Sequence, residues 1–116
     1  MGDRYRIWTE NLGIDWCVSR QRHFGVPILV WYPLDASGQP DYERPIVAAA
    51  DRLPVDPMSD APPGYEEAQR DQPGGFTGDP DVFDTWFTSS LTPEIGSKWI
   101  LDPERYARLF PADMRP

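Results

Sequence analysis

Between Asp79 and Pro93 the chain reads Asp-Pro-Asp-Val-Phe-Asp-Thr-Trp-Phe-Thr-Ser-Ser-Leu-Thr-Pro, which sets three carboxylates and three aromatic rings beside a run of hydroxyls. A pair such as Asp81 and Asp84 is the raw material of general acid–base catalysis. Acidic residues at the start of a helix also cap it and complement its dipole, and capping accounts for this pair without any reaction. Trp86, next to small hydroxyl residues, can form the flat wall of a pocket for an apolar ligand. The same ring at helical spacing from other apolar residues also reads as core, since aromatics so spaced usually just pack. Spacing does not choose between the two. Arg20 and Gln21, in Ser19-Arg20-Gln21-Arg22-His23, read either as solvated surface or as side chains that hold neighbouring loops. Cys17 reads as a small buried hydrophobe. His23 reads as structural, because no nucleophile with an acid partner is legible around it.

The element expected to carry Trp86 is one short helix. Asp79 has the character of an N-cap and Pro80 of a first helical residue, with Asp81 and Asp84 in or just after the first turn and Pro93 as the stop. On that helix Val82 and Trp86, and Phe83 and Phe87, stand four apart on one apolar face. Upstream, Tyr5, Trp8 and Leu12 recur at helical spacing, with Asp3 as a cap and Gly13 placed to end the helix. Trp16 to Ser19 is expected to be a short strand and Arg20 to Phe24 a turn closed by Gly25. Val26 to Tyr32 reads as a strand once past Pro27. Asp35-Ala36-Ser37-Gly38 supplies turn chemistry, and Tyr42 to Val47 returns as the second strand of a hairpin that its prolines make irregular and marginal to a sheet. Ala48 to Arg52 suits a helical turn. Asp56 to Pro80 is punctuation, a long loop either mobile or draped over another surface, with one possible turn at Tyr65 to Arg70. Asp102-Pro103 opens a last helix with Tyr106, Leu109 and Phe110 as its stripe, stopped by Pro111.

These elements amount to a small, loop-rich α+β unit, with an irregular antiparallel hairpin and about three short helices. Its regions divide at 1–25, 26–55, 56–80 and 81–116. Fourteen prolines and nine glycines in 116 residues make it loop-rich, while five tryptophans and 40% hydrophobic residues set it apart from disordered chains. A formal charge of -8 disfavours nonspecific binding of nucleic acid or of an anionic membrane by these residues alone. One cysteine and one histidine make neither an internal disulfide nor a Cys/His zinc site. No apolar run approaches membrane-spanning length.

Three stretches together resemble the class I aminoacyl-tRNA synthetases of the isoleucine, leucine and valine group. Asp15-Trp16-Cys17-Val18-Ser19-Arg20-Gln21-Arg22-His23-Phe24-Gly25-Val26-Pro27 is similar to the segment by which these enzymes re-enter the catalytic region after their editing insertion. Asp81-Val82-Phe83-Asp84-Thr85-Trp86-Phe87-Thr88-Ser89-Ser90-Leu91 is similar to the family's Asp-Thr-Trp-Phe-Ser-Ser signature, and Leu109 to Pro116 resembles the lead into the next catalytic strand. The Ser-Arg-Gln stretch marks the whole group. Thr85 and Ser89-Ser90-Leu91 point within it to the valine enzymes, since isoleucine enzymes tend to read Asp-Val-Trp-Phe-Asp-Ser and leucine enzymes lack the tryptophan.

The resemblance implies that the whole enzyme is cytoplasmic, activates valine with ATP and magnesium, and transfers it to tRNA(Val). It implies that Trp86 contacts the valine side chain, that Asp84, Thr85 and Phe87 support it, and that Arg20 and Gln21 are scaffold. The family's two ATP signatures, of the His-Ile-Gly-His and Lys-Met-Ser-Lys-Ser types, are absent. So are its editing and anticodon domains, so the chain is expected to be an internal fragment with no catalytic residue, no partner and no cofactor of its own. The rival expectation is a stand-alone acidic module that binds a protein through a tryptophan-rich face. Many relatives carry a cysteine-based zinc ribbon between the two main motifs, where this chain has Trp31-Tyr32-Pro33 and no later cysteine. Two outcomes are therefore expected of the purified 116-residue chain: elemental analysis finds no stoichiometric zinc, and valine-dependent ATP–pyrophosphate exchange stays at background.

Overall fold

Val30 to Pro33 form the strand (β2) on which the rest of the sheet assembles in a computed structural model of the chain, which describes residues 2–13 and 15–111. Branched and aromatic side chains suit Val30-Trp31-Tyr32 to a pleated surface, and the strand starts three residues after Pro27, which has no N–H to give a ladder. A helix, α1 (Gly2–Glu10), and a short strand, β1 (Ser19–Arg20), precede it. After it come β3 (Ile46–Val47), β4 (Phe76–Gly78) and β5 (Val82–Phe83), then α2 (Thr85–Ser89), α3 (Thr92–Gly96) and α4 (Pro103–Leu109). The strands make two antiparallel sheets: β3-β2-β4, with Trp31 opposite Ile46 and Gly78, and a ribbon of β1 and β5. The α+β class expected from the sequence is the class observed.

The turn at Asp35 forms as its residue types require. Asp35 Oδ1 accepts from Ser37 N at 2.7 Å, Ser37 Oγ at 2.7 Å and Gln39 N at 2.9 Å, and Gly38 takes φ +83°. These bonds, the Ser37 hydroxyl first, hold the Asp35 carboxyl below its usual value. The returning strand is shorter than expected, confined to Ile46–Val47 at the sheet edge. Ala50–Arg52 and Glu67–Gln69 are 3₁₀ turns, where single turns were expected.

The stretch from Asp56 to Pro80 departs from expectation by containing β4. Three residues between Gly-Gly and Asp-Pro leave no periodic signal, yet they pair with β2 at three positions. The loop before β4 folds back over the sheet. Trp31, only 1% exposed, donates from Nε1 to Asp60 O at 2.8 Å, and Pro57 and Pro62 of the same loop are fully buried. Arg70 holds this arrangement: it donates to Pro57 O at 2.8 Å and Asp60 O at 3.0 Å, forms an ion pair with Glu67, and lies over the ring of Phe76, 5.0 Å from its centre. The ion pair lowers the Glu67 carboxyl and raises the Arg70 guanidinium from their ordinary values. At Gly78 the loop comes too close for a side chain, because a β-carbon there would stand 2.3 Å from Pro57 O.

The helix expected from Asp79 to Pro93 is divided. Asp79 N continues the sheet by donating to Val30 O at 2.9 Å, while its carboxylate accepts from Asp81 N and the Tyr32 hydroxyl, both at 2.9 Å. Asp-Pro-Asp is thus a turn rather than a cap, and Val82 and Phe83, expected on a helical face, are a strand. The helix begins later, with Asp84 as its cap, and breaks at Ser90 and Leu91 before Pro93 sits in the first turn of α3 instead of ending a helix. Asp102 and Pro103 do open α4 as expected, Asp102 Oδ1 accepting from Arg105 N at 3.0 Å. Helix α1 spans the expected region, with Asp3 inside its first turn and Asn11 ending it before Gly13. The strand expected from Trp16 to Ser19 is displaced to Ser19–Arg20, because only there does β5 lie alongside.

Little of this is core. Among the described residues the buried apolar side chains are Trp31, Leu34, Phe76 and Val82, together with the two prolines. The radius of gyration is 18.6 Å, where a compact domain of 100 residues has about 13 Å. Tyr32 and Asp79 supply a direct test of the link between β2 and the Asp-Pro-Asp turn. Burial, then the hydrogen bond to Asp79, pushes the Tyr32 phenol up to about 12 from 10.0. The folded state therefore holds this proton more tightly than the unfolded one, and the stabilisation is complete below pH about 10 and lost as pH rises toward 12. Ultraviolet titration should show one of the five tyrosines ionising late, and Tyr32→Phe should remove that late step; five tyrosines ionising together would refute the link.

Candidate functional site

The two stretches that could carry function, Ser19-Arg20-Gln21 and Asp81 to Leu91, lie some sixty residues apart and meet side by side. Ser19 faces Phe83 and Arg20 faces Val82 in the β1–β5 ribbon. The segment after β1 lies along the other edge of β5, where Phe83 N donates to Val26 O at 2.8 Å and Ile28 N to Asp81 O at 3.2 Å. Gly25 makes that approach possible, since a β-carbon there would fall 2.7 Å from Val82 Cγ2.

Two cross-links between side chains stand along the ribbon. Arg20 Nη2 meets Asp84 Oδ2 at 2.5 Å, while its Nη1 donates to the carbonyls of Cys17 and Ser19, both at 2.7 Å. Gln21 Nε2 donates to Asp81 Oδ2 at 2.6 Å. Asp84 uses its remaining oxygen as the cap of α2, accepting from Trp86 N at 2.7 Å, and its own N donates to Val18 O at 2.7 Å. One carboxylate therefore joins the start of the Trp86 helix to Arg20. Both groups are partly withdrawn from solvent, with side-chain exposures of 32% for Arg20 and 13% for Asp84, so the contact is worth more than a fully exposed ion pair.

Around this link lie three rings. Phe87 stacks on Phe83 with centres 5.0 Å apart, and Trp16 meets Phe87 edge-on at 6.5 Å. Trp86 points elsewhere: it is 80% exposed, so it is not the core residue its spacing allowed. Thr85 is exposed and Phe87 half-buried. Trp86 lines neither of two concavities on the surface, a 720 Å³ groove that includes Tyr32, Tyr42, Met58, Asp79 and Asp81 and a 350 Å³ pocket beside Trp31. Asp81 and Asp84 each hold partners in this arrangement, Asp81 in the cross-link to Gln21 and Asp84 in the cap of α2 and the ion pair with Arg20. Cys17 is exposed, contrary to its reading as a buried hydrophobe, and its hydrogen bond with the Ser19 hydroxyl draws the thiol below its ordinary value. His23 is exposed as well. Among the described residues no group of three or more His, Cys, Asp or Glu is placed to hold a metal ion, and no helix is long and apolar enough to cross a membrane.

Of the residues singled out in the sequence, Arg20, Gln21, Asp84 and Phe87 are brought into one cluster, and Thr85 and Trp86 stand on its solvent side. Trp16, Gly25, Phe83 and the pairing partner Asp81 belong to it too. Their roles depend on contacts across the ribbon, for which local spacing carries no signal.

Comparison with known proteins identifies the family. The family model for tRNA synthetases class I (I, L, M and V) matches residues 1–115, and the chain belongs to that family. It is 63% identical over 116 residues to the valine–tRNA ligase of Salinispora tropica and 62% identical to that of Salinispora arenicola, in each case over 100% of this chain and 14% of the relative. The valine–tRNA ligase of Thermobifida fusca is 57% identical over 116 residues, again 100% of this chain and 13% of the relative. The chain thus spans about one-seventh of the length of the curated relatives it matches. No solved structure matches it. The third motif suggested by the sequence ends in residues 112–116, which lie outside the described residues.

The doubly engaged carboxylate gives a graded prediction. Asp84→Ala removes the cap and leaves Arg20 without its ion pair, and should lower unfolding free energy by about 2–4 kcal/mol. Asp84→Asn keeps an acceptor for Trp86 N and should cost about 1 kcal/mol. Chemical denaturation of the two variants measures both, and equal losses would show that the cap contributes nothing.

Proposed function

We propose that this chain is part of a cytoplasmic valine–tRNA ligase, an enzyme that activates valine with ATP and magnesium and then transfers it to tRNA(Val). In this reading Trp86 is one wall of the aminoacyl pocket. The observation that carries it is the site's construction: a tryptophan held clear of the chain's own core by a helix whose start is tied through Asp84 to Arg20. The matching relatives are valine–tRNA ligases by name, which supports valine as the amino acid.

The residues of this chain select and position; none of them transfers a proton or attacks a substrate. Trp86 offers an apolar face that favours a branched aliphatic side chain by shape and desolvation. One methylene is worth only about 1–3 kcal/mol in such a pocket, so the wall sorts amino acids coarsely. Asp84 fixes the first turn of α2, Phe87 anchors its inner side on Phe83 and Trp16, and Arg20 and Gln21 hold the two strands in register. Thr85 lies at the start of α2 beside the wall. ATP supplies the leaving group for activation when bound. Asp79, Asp81 and Asp84 are engaged in a turn, a cross-link and a cap, and among the described residues no group of three or more His, Cys, Asp or Glu is placed to hold magnesium, so nucleotide and metal are assigned to other parts of the enzyme.

The rival reading, an acidic interaction module, has in its favour that Trp8, Trp16, Trp86 and Trp99 are all more than half exposed. A family match across nearly the whole chain weighs more. In the complete enzyme, Trp86→Ala should lower kcat/KM for valine in ATP–pyrophosphate exchange by about 10–100-fold, with little change in the KM for ATP. Unaltered valine kinetics would remove Trp86 from the pocket.

A further inference from the structure

The cross-links Arg20–Asp84 and Gln21–Asp81 brace the β1–β5 ribbon from within, and neither fixes where the ribbon sits on the main sheet. Ribbon and α2 meet β3-β2-β4 where the chain leaves β4 through Asp79-Pro80-Asp81. That turn has little backbone freedom, because Pro80 has a fixed φ and Asp79, preceding it, is held extended. Asp79 is engaged on every side. Its N donates to Val30 O, its Oδ1 accepts from Asp81 N and its Oδ2 accepts from the Tyr32 hydroxyl, each at 2.9 Å. Tyr32 stands in β2 opposite Thr77, and its ring meets that of Tyr42 edge to face with centres 4.9 Å apart. One carboxylate thus carries the position of the central strand to the start of β5, and β5 leads directly into the cap of α2. Trp86 is 80% exposed, so the chain's own packing does little to hold its ring, and the backbone beneath sets where it stands.

We infer that Tyr32 and Asp79 are positioning residues for the amino-acid site: their hydrogen bond fixes β5 and α2 on the main sheet, and so sets how far the Trp86 wall stands from a bound side chain. The inference rests on the reading of Trp86 as a wall of that pocket. A pocket of this kind separates side chains one methylene apart by only about 10–200-fold. A small displacement of one wall therefore alters selectivity before it abolishes activity. The hydroxyl is the part of Tyr32 at issue, since Tyr32→Phe keeps the ring and its contact with Tyr42 and removes the bond to Asp79.

Amino-acid-dependent ATP–pyrophosphate exchange in the complete enzyme tests it, through the ratio of kcat/KM for valine to that for isoleucine, which is one methylene larger. Tyr32→Phe and Asp79→Ala should each change that ratio at least about threefold, with the KM for ATP unaltered. The double variant should go no further than the stronger single one, because both changes cut the same link. Asp35→Ala, in the turn between β2 and β3, controls for lost stability and should leave the ratio alone. A ratio within about 1.5-fold of the parent's in both single variants would overturn the inference. So would single effects that multiply in the double variant, or an equal change in Asp35→Ala. If Trp86→Ala alters valine kinetics while the Tyr32 and Asp79 variants keep the parent's ratio, this inference alone falls; unaltered valine kinetics in Trp86→Ala removes both it and the proposed pocket.

Discussion

The arrangement of motifs depends on a pairing only two residues long. By themselves two ladder positions are too few to hold a ribbon in water, and β1 and β5 persist because their side chains repeat the connection. Arg20 reaches Asp84, Gln21 reaches Asp81, and the chain after Gly25 closes on the opposite edge of β5. The register matters more than the number of bonds. A slip by one residue would turn Val82 from its buried position toward solvent and carry Arg20 away from the cap of α2. The conformation of the Trp86 helix is therefore set by a segment more than sixty residues earlier in the chain.

The second organising feature is a cation placed among backbone acceptors. Arg70 fastens Pro57 O and Asp60 O while its plane covers Phe76, so a stretch with almost no regular structure acquires a fixed path over Trp31. A loop with so many prolines gives up few backbone donors, and its ordering cost is lowered because proline restricts the unfolded chain as well. The core is correspondingly thin. This explains how the unit can be ordered across β2 and still extend to 57 Å in its longest dimension.

Local chemistry was legible in the sequence where it was sufficient. Asp102-Pro103 and the Asp35 turn each need only residues within four positions, and both form as their types dictate. Asp79-Pro80 carries the same two residue types as Asp102-Pro103 but makes a turn, because Tyr32 and the edge of β2 compete for Asp79 and because β1 draws Val82 and Phe83 into a strand. The two sites differ in what lies across from them, which a local pattern does not record. The same reason hid β4. Membership of the cluster was legible for Arg20, Gln21, Asp84 and Phe87 through the family's motifs; Gly25 and Trp16 stand in the same motif as Arg20, but their parts in the cluster follow only from the packing.

Gly78 has neither a cap, a charge nor a ring, and it lies in a strand where any side chain could in principle alternate. Its neighbour is a carbonyl of the loop, too near for a β-carbon. A library of random substitutions would find this position as intolerant as a residue that touches substrate, and a map of intolerance alone would draw the active site too large. The depleted position would be reporting crowding between two backbones.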